Sequence, residues 1–235
     1  DKMRIILRKI KRNDYYEHIP YIINKLSGLP PPKISSDIEK KFCSMFMSIQ
    51  QPWELYKPKN RKNIRKELVE FKKNRRVLIG PYATFYFESF ETMLAQVQEM
   101  LHIEKGGDEQ LKDELNAYNP LVPKGKELVA TLMFEIDDPI LRSNFLGKVG
   151  GIEKTVCIEI GKEKIKAVSE KDIDRTSAEG KASSVQFLHF NFSEEQIKKF
   201  KDPNCEVSVS IDHSLYNHSS KLSQLTKDAL EKDFN

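Results

Sequence analysis

The sequence predicts an α+β domain with a mostly antiparallel sheet and packed helices, preceded by a small helical N-terminal segment. Three patterns carry that expectation. Residues 127 to 136 alternate, with Leu128, Ala130, Leu132, Phe134 and Ile136 on one face, which is the period of a half-buried strand. Val77 to Phe87 reads as two strands around a Gly80-Pro81 turn, a hairpin signature. Helical stripes with serine or aspartate at their starts are interspersed among such strands, and no sustained strand-helix-strand repeat appears, which favours α+β over a parallel α/β sheet.

Taken in order, the chain begins with Ile5, Ile6 and Ile10 on one helical face, followed by Asn13 and Asp14, which end one helix and cap another over Tyr15 to Leu26. Leu29-Pro30-Pro31-Pro32 must leave the helix, because consecutive prolines fix φ and remove backbone donors. Ser36 or Asp37 then caps a third helix striped by Ile38, Phe42, Met45, Phe46 and Ile49, and Pro52 stops it. Ile64, Leu68 and Phe71 mark a short basic helix. Ser89 caps a helix that buries Met93, Leu94, Val97, Met100 and Leu101 and ends at Gly106-Gly107, after which Asp108 caps another with Leu111 and Leu115 inward. Asp138-Pro139 opens a helix that Gly150-Gly151 closes. Strands follow at 156–160, 164–168, 185–192 and 205–211, with a helix capped by Ser193 between the last two.

Composition narrows the class. Charged residues make up 31% and hydrophobic ones 39% of 235 residues, a polar globular balance rather than that of a disordered chain. No apolar run approaches the roughly 20 residues that span a bilayer, and the opening stretch lacks the apolar core of a signal peptide. Neither membrane insertion nor export is expected. Cys43, Cys157 and Cys205 are widely spaced and form no CxxC pair, which argues against a disulfide framework or a cysteine zinc site and fits a reducing cytoplasm.

The net charge of +4 conceals an asymmetry. Residues 1 to 76 hold 20 Lys and Arg against 8 Asp and Glu, or +12, whereas residues 77 to 235 hold 19 against 27, or −8. Such a basic arm can bind a polyanion by releasing counterions; a charge run also serves as a solvated or packed face.

Two family resemblances accompany these readings. The stretch KMRIILRKIKRNDYYEHIPYIINKLSGLPPPKIS, followed by MFMSIQQPWELYKPKNRKN, resembles the middle of the poxvirus-type late transcription factor family and covers nearly all of residues 2 to 63. That family's cysteine-rich zinc-binding portion has no counterpart here, nor has its helical continuation. From Arg65 to about Tyr216 the chain resembles an uncharacterised bacterial family, domain of unknown function 3501. The motifs are NRRVLIGPYATFYFE, QVQEMLHIE, DELNAYNPLVP, KELVATLMFEIDDP, VGGIE, EKDIDR, SSVQFLHF and IDHSLY. This second resemblance implies a bacterial origin, no assigned reaction and no named cofactor; its members' association with rubrerythrin-like and iron-sulfur proteins implies iron or redox partners. The organisation expected is a basic helical segment over 1–63, an α+β domain over 64–218, and a tail over 219–235 that is a short helix or disordered.

Three residue sets carry candidate chemistry. Glu99 and His102 stand one helical turn apart, the spacing that di-iron bundles supply from two helices, although one copy is an incomplete ligand set. Asp212 and His213 follow an apolar-alternating strand, where a carboxylate can orient an imidazole for acid-base catalysis or simply shape a turn. The basic run holding Lys57, Lys59, Arg61, Lys62, Arg65 and Lys66, next to Trp53 and Tyr56, has the make-up of a nucleic-acid strip, with cations for phosphates and aromatic rings for bases. His189 and Cys205 read as core residues on strands. The function expected is therefore a cytoplasmic accessory or binding module, with a nucleic-acid-binding regulator and an enzyme around Asp212 and His213 as alternatives.

Overall fold

A computed structural model describes residues 58–169, 176 and 180–234. The helices expected before residue 52, together with Trp53, Tyr56, Lys57, the side chain of Lys59 and the EKDIDR motif, lie outside that description. The described residues after Lys57 belong to one compact unit.

The unit opens with helix α1 (Pro58–Lys73), with proline at its first position, where its missing N–H costs nothing. The helix runs without a break across residue 64, where the basic segment was expected to give way to the domain. Strands β1 (Arg76–Ile79) and β2 (Ala83–Phe87) follow as the expected hairpin, Arg76 opposite Tyr86 and Ile79 opposite Ala83. Gly80 has φ +64° in this turn, and a Cβ there would lie 2.6 Å from the His218 ring, so both backbone and space require glycine.

Helix α2 (Phe90–Glu104) starts in a Ser89/Thr92 capping box, and α3 (Gly107–Tyr118) follows. Strand β3 (Glu127–Phe134) pairs with β2 and with β7 (Val185–Asn191), and the two-residue β6 (Val168–Ser169) completes a five-stranded antiparallel sheet in the order β1-β2-β3-β7-β6. Between them lie α4 (Pro139–Leu146), β4 (Val156–Ile160) and β5 (Glu163–Lys166). Helix α5 (Glu194–Lys201), strands β8 (Val207–His213) and β9 (Tyr216–Lys221) and helix α6 (Gln224–Leu230) end the unit. The second sheet has the order β5-β4-β8-β9, also antiparallel.

One core joins the two sheets, contributed by Phe85, Leu128, Leu132 and Phe190 of the first and Ile158, Val209 and Ile211 of the second. Phe192, Phe200 and Phe234 stack edge to face at one end of it, each pair adding to what area burial alone provides. The α+β expectation thus holds, with the strands divided between two antiparallel sheets.

Several local expectations need correction. Strand β3 is buried on both faces rather than one, because Val129 packs with Met93 of α2 and Leu121 under a helical layer that strand periodicity cannot reveal. Helix α2 ends on Lys105 in a left-handed conformation, not on the following glycines; α3 is capped by Gly106 without a side-chain bond, which leaves Asp108 inside its first turn. Helix α4 stops at Gly147. The Gly150-Gly151 pair instead permits close approach: a Cβ on Gly150 would lie 2.2 Å from the Gly180 carbonyl oxygen, and the Gly151 N–H donates to Thr176 Oγ1. Cys205 is half-buried ahead of β8 rather than within it. Residues 219–234, expected as a tail that is a short helix or disordered, hold the short helix α6 together with the end of β9 and a 3-10 turn, with Leu222, Leu230 and Phe234 in the core.

Candidate functional site

The basic helix and the helix that carries Glu99 and His102 are in contact. Ile64 and Leu68 give α1 a half-buried stripe, and the same side of the helix brings Arg61 to α2. There the Glu99 carboxylate accepts hydrogen bonds from Arg61 Nε (3.0 Å) and Nη2, and Arg65 Nη1 lies 4.0 Å away. A bidentate guanidinium-carboxylate pair is strong and geometrically demanding. It joins the carboxylate singled out as a candidate metal ligand to one of the guanidinium groups singled out as a candidate phosphate contact. Lys62, Arg65 and Lys66 remain exposed on the same helix. His102 is half-buried one turn further on, and among the described residues no three His, Cys, Asp or Glu side chains gather as a metal site.

Asp212 and His213 lie inside β8, at the tip of the β8–β9 hairpin, and make separate bonds. Asp212 Oδ1 accepts from Asn217 Nδ2 across the hairpin (2.9 Å), and His213 Nδ1 accepts the Leu215 N–H (3.2 Å). Successive strand residues face opposite sides of a sheet, so the carboxylate does not orient the imidazole. Both groups serve the turn. His189 is satisfied as expected, its Nδ1 3.1 Å from Glu127 Oε2.

The residue in this region with the greatest structural consequence was not singled out in the sequence. Tyr216, the last residue of the IDHSLY motif, is buried among Tyr82, Phe134, Phe145 and His218. Its hydroxyl donates to the Ile79 carbonyl (2.5 Å) and accepts the N–H groups of Tyr82 (3.0 Å) and Ala83 (2.9 Å). One phenol on the second sheet thereby holds the β1–β2 turn of the first. Burial, opposed by those two amides, pushes its ionisation above the ordinary tyrosine value.

A second polar group escaped the sequence reading because it depends on cross-strand register. Cys157 and Glu159 of β4 face Ser210 of β8 and Lys164 of β5 on the outer side of the second sheet. Ser210 Oγ is 3.0 Å from Cys157 Sγ and donates to Glu159 Oε1 (3.1 Å), which also takes Lys164 Nζ (2.9 Å). Lys164 first, then Ser210, holds the Glu159 carboxyl below its usual range.

Both segments have recognisable relatives. A model described as poxvirus late transcription factor VLTF3 like matches residues 1–66. Two viral proteins, each named "Putative transcription factor", from Acanthamoeba polyphaga mimivirus and Paramecium bursaria Chlorella virus 1, are 44% and 42% identical over 62 residues. Those stretches are 26% of this chain and only 14% and 17% of the viral proteins. A crystal structure of a novel protein of unknown function from Burkholderia pseudomallei is 32% identical, with a TM-score of 0.71, and the match covers 77% of this chain and 94% of that one. The model described as protein of unknown function (DUF3501) matches residues 48–234, overlapping the viral match across the first turns of α1, and the chain belongs to that family.

Proposed function

We propose that the chain is a non-catalytic binding module that works in the cytoplasm, a two-sheet carrier for a basic arm. One observation carries this reading: Glu99, the candidate metal ligand, is committed to Arg61 and Arg65 within the fold. Asp212 and His213 likewise serve their own hairpin. Iron or redox proteins are the partner class that the bacterial resemblance implies.

Metal loading tests the reading. The purified chain, reconstituted anaerobically with Fe(II) or Zn(II) and desalted, should retain well under about 0.1 equivalent, since an incomplete ligand set holds metal weakly. Retention near one equivalent, abolished by Glu99→Ala or His102→Ala, would replace it with a metal centre.

A second reading is favoured by the viral match over residues 1–66 together with exposed Lys62, Arg65 and Lys66: the basic arm contacts nucleic acid. Affinity for duplex DNA should then fall with salt at a log-log slope of about −0.9 per neutralised phosphate. Lys62→Glu with Lys66→Glu should flatten that slope more than Arg61→Glu, because Arg61 is already paired. Substitution is the cleaner test, as truncation at residue 64 would cut α1. Weak, salt-insensitive retention of the full chain would leave the arm as packing or solvated surface.

A further inference from the structure

Lys227 of α6 is 4% exposed, yet among the described residues its ammonium meets no carboxylate. It donates to two backbone carbonyls only, Asp202 (2.8 Å) and Cys205 (2.7 Å). An ammonium has three donors and a full charge, so among the described residues one N–H and the charge itself have no counterpart. Buried cations are normally paired, because removal from water is costly unless an anion offsets it. The carbonyl at Asp202, the C-cap of α5, offsets part of that cost through the negative end of the helix.

The same lysine lines an open cleft of about 490 Å³ between the 203–207 segment and the start of α6. Its other walls mix polar and small groups, Asn204, Cys205, Ser223 and Gln224, with the apolar side chains of Pro203, Val207 and Leu222. Lys221 also lines it, paired with Glu206 (2.5 Å), so the local acid is already matched and Lys227 is the cation in excess.

We propose that this cleft is an anion site: a small oxyanion, the phosphate or carboxylate group of a small molecule, takes the third N–H of Lys227 and supplies the missing counter-charge. The cleft volume exceeds that of a bare ion and suits a compact metabolite. This site does not depend on the basic arm, and its failure would leave the arm's reading untouched.

Cys205 gives a local readout, because it is a free, half-buried thiol on the cleft wall. The full chain is alkylated with iodoacetamide, a neutral reagent, in rising inorganic phosphate or malonate, and Cys205 and Cys157 are followed separately by peptide mapping. Either anion, or both, should slow Cys205 saturably, by roughly tenfold at ten times the dissociation constant, while Cys157 is unchanged. The anion that protects identifies the ligand chemistry. Lys227→Gln keeps two amide donors for the carbonyls but removes the charge, and Lys227→Met removes both; protection should vanish in each. If neither anion protects Cys205 in the unsubstituted chain, or if protection persists in Lys227→Gln, Lys227 is only a strut between α5 and α6 and the proposal is overturned.

Discussion

The two ends of the basic stretch from Pro58 to Arg76 use arginine in opposite ways. Near its start, Arg61 is about a quarter exposed and pairs with an equally exposed Glu99. Near its end, Arg75 is 3% exposed and binds Asp233 through both terminal nitrogens (2.6 and 2.9 Å), the Glu88 carbonyl (3.1 Å) and the Ala229 carbonyl (3.0 Å), with its guanidinium over the Phe71 ring. The first pair ties two helices at a wet boundary. The second ties β1 to the C-terminal turn inside a dry one. Charge counted along the sequence cannot tell these apart, because burial and not residue type sets what an ion pair contributes.

The largest effect should come from breaking the dry pair. Arg75→Met leaves the Asp233 carboxylate buried without its cation, and Asp233→Asn weakens the same contact from the other side. A loss of about 3–5 kcal/mol is expected for Arg75→Met in urea or thermal unfolding. Removing both charges in Arg75→Met with Asp233→Leu should recover part of it. A change in Arg75→Met no larger than that of a surface arginine would erase the distinction between the two ends.

Sequence patterns made the elements legible where local chemistry decides them. The β1–β2 hairpin, the Ser89 and Ser193 caps and the proline start of α4 are short-range signals and sit where expected. Register and layering were not legible. Nothing near Asp233 announces Arg75, 158 residues away, and nothing near Tyr216 announces the Ile79 carbonyl, 137 residues away. The Arg61–Glu99 contact was illegible for the same reason: its two partners stand 38 residues apart.

Next in size is the tie between the sheets. Tyr216→Phe keeps the aromatic packing but removes the acceptor for two buried amides and the donor to a buried carbonyl, which should cost about 2–3 kcal/mol. The deficit should shrink at high pH. Tyr216 has a raised folded-state pKa, so the folded chain holds this proton where the unfolded chain has begun to lose it. Its contribution is fully present below the unfolded value of 10.0 and declines as pH rises through the folded value. Tyr86 follows the same rule toward its folded value of about 12, raised by burial first and then by Glu135, but it is present in both proteins and cancels in the comparison. Urea titrations of both proteins at about pH 9 and above pH 10 check this; a gap that widens with pH would show that the phenol proton is not what holds the turn.

The smallest effect should be at the wet end. Glu99→Gln removes the charge but leaves an amide oxygen for Arg61, and a pair of that exposure contributes about 0–1 kcal/mol, less as salt rises. Its consequence should appear in binding rather than stability, because the carboxylate that offsets the charge of Arg61 and Arg65 is gone. With the basic arm on nucleic acid, the substitution should steepen the salt dependence of duplex binding by nearly one phosphate while the unfolding midpoint barely moves. Measured side by side, an unfolding midpoint that falls as far as in Arg75→Met would make Glu99 a second core lock and remove the contrast between the two ends. A salt slope that stays flat with stability intact would instead confine Arg61 to joining α1 to α2.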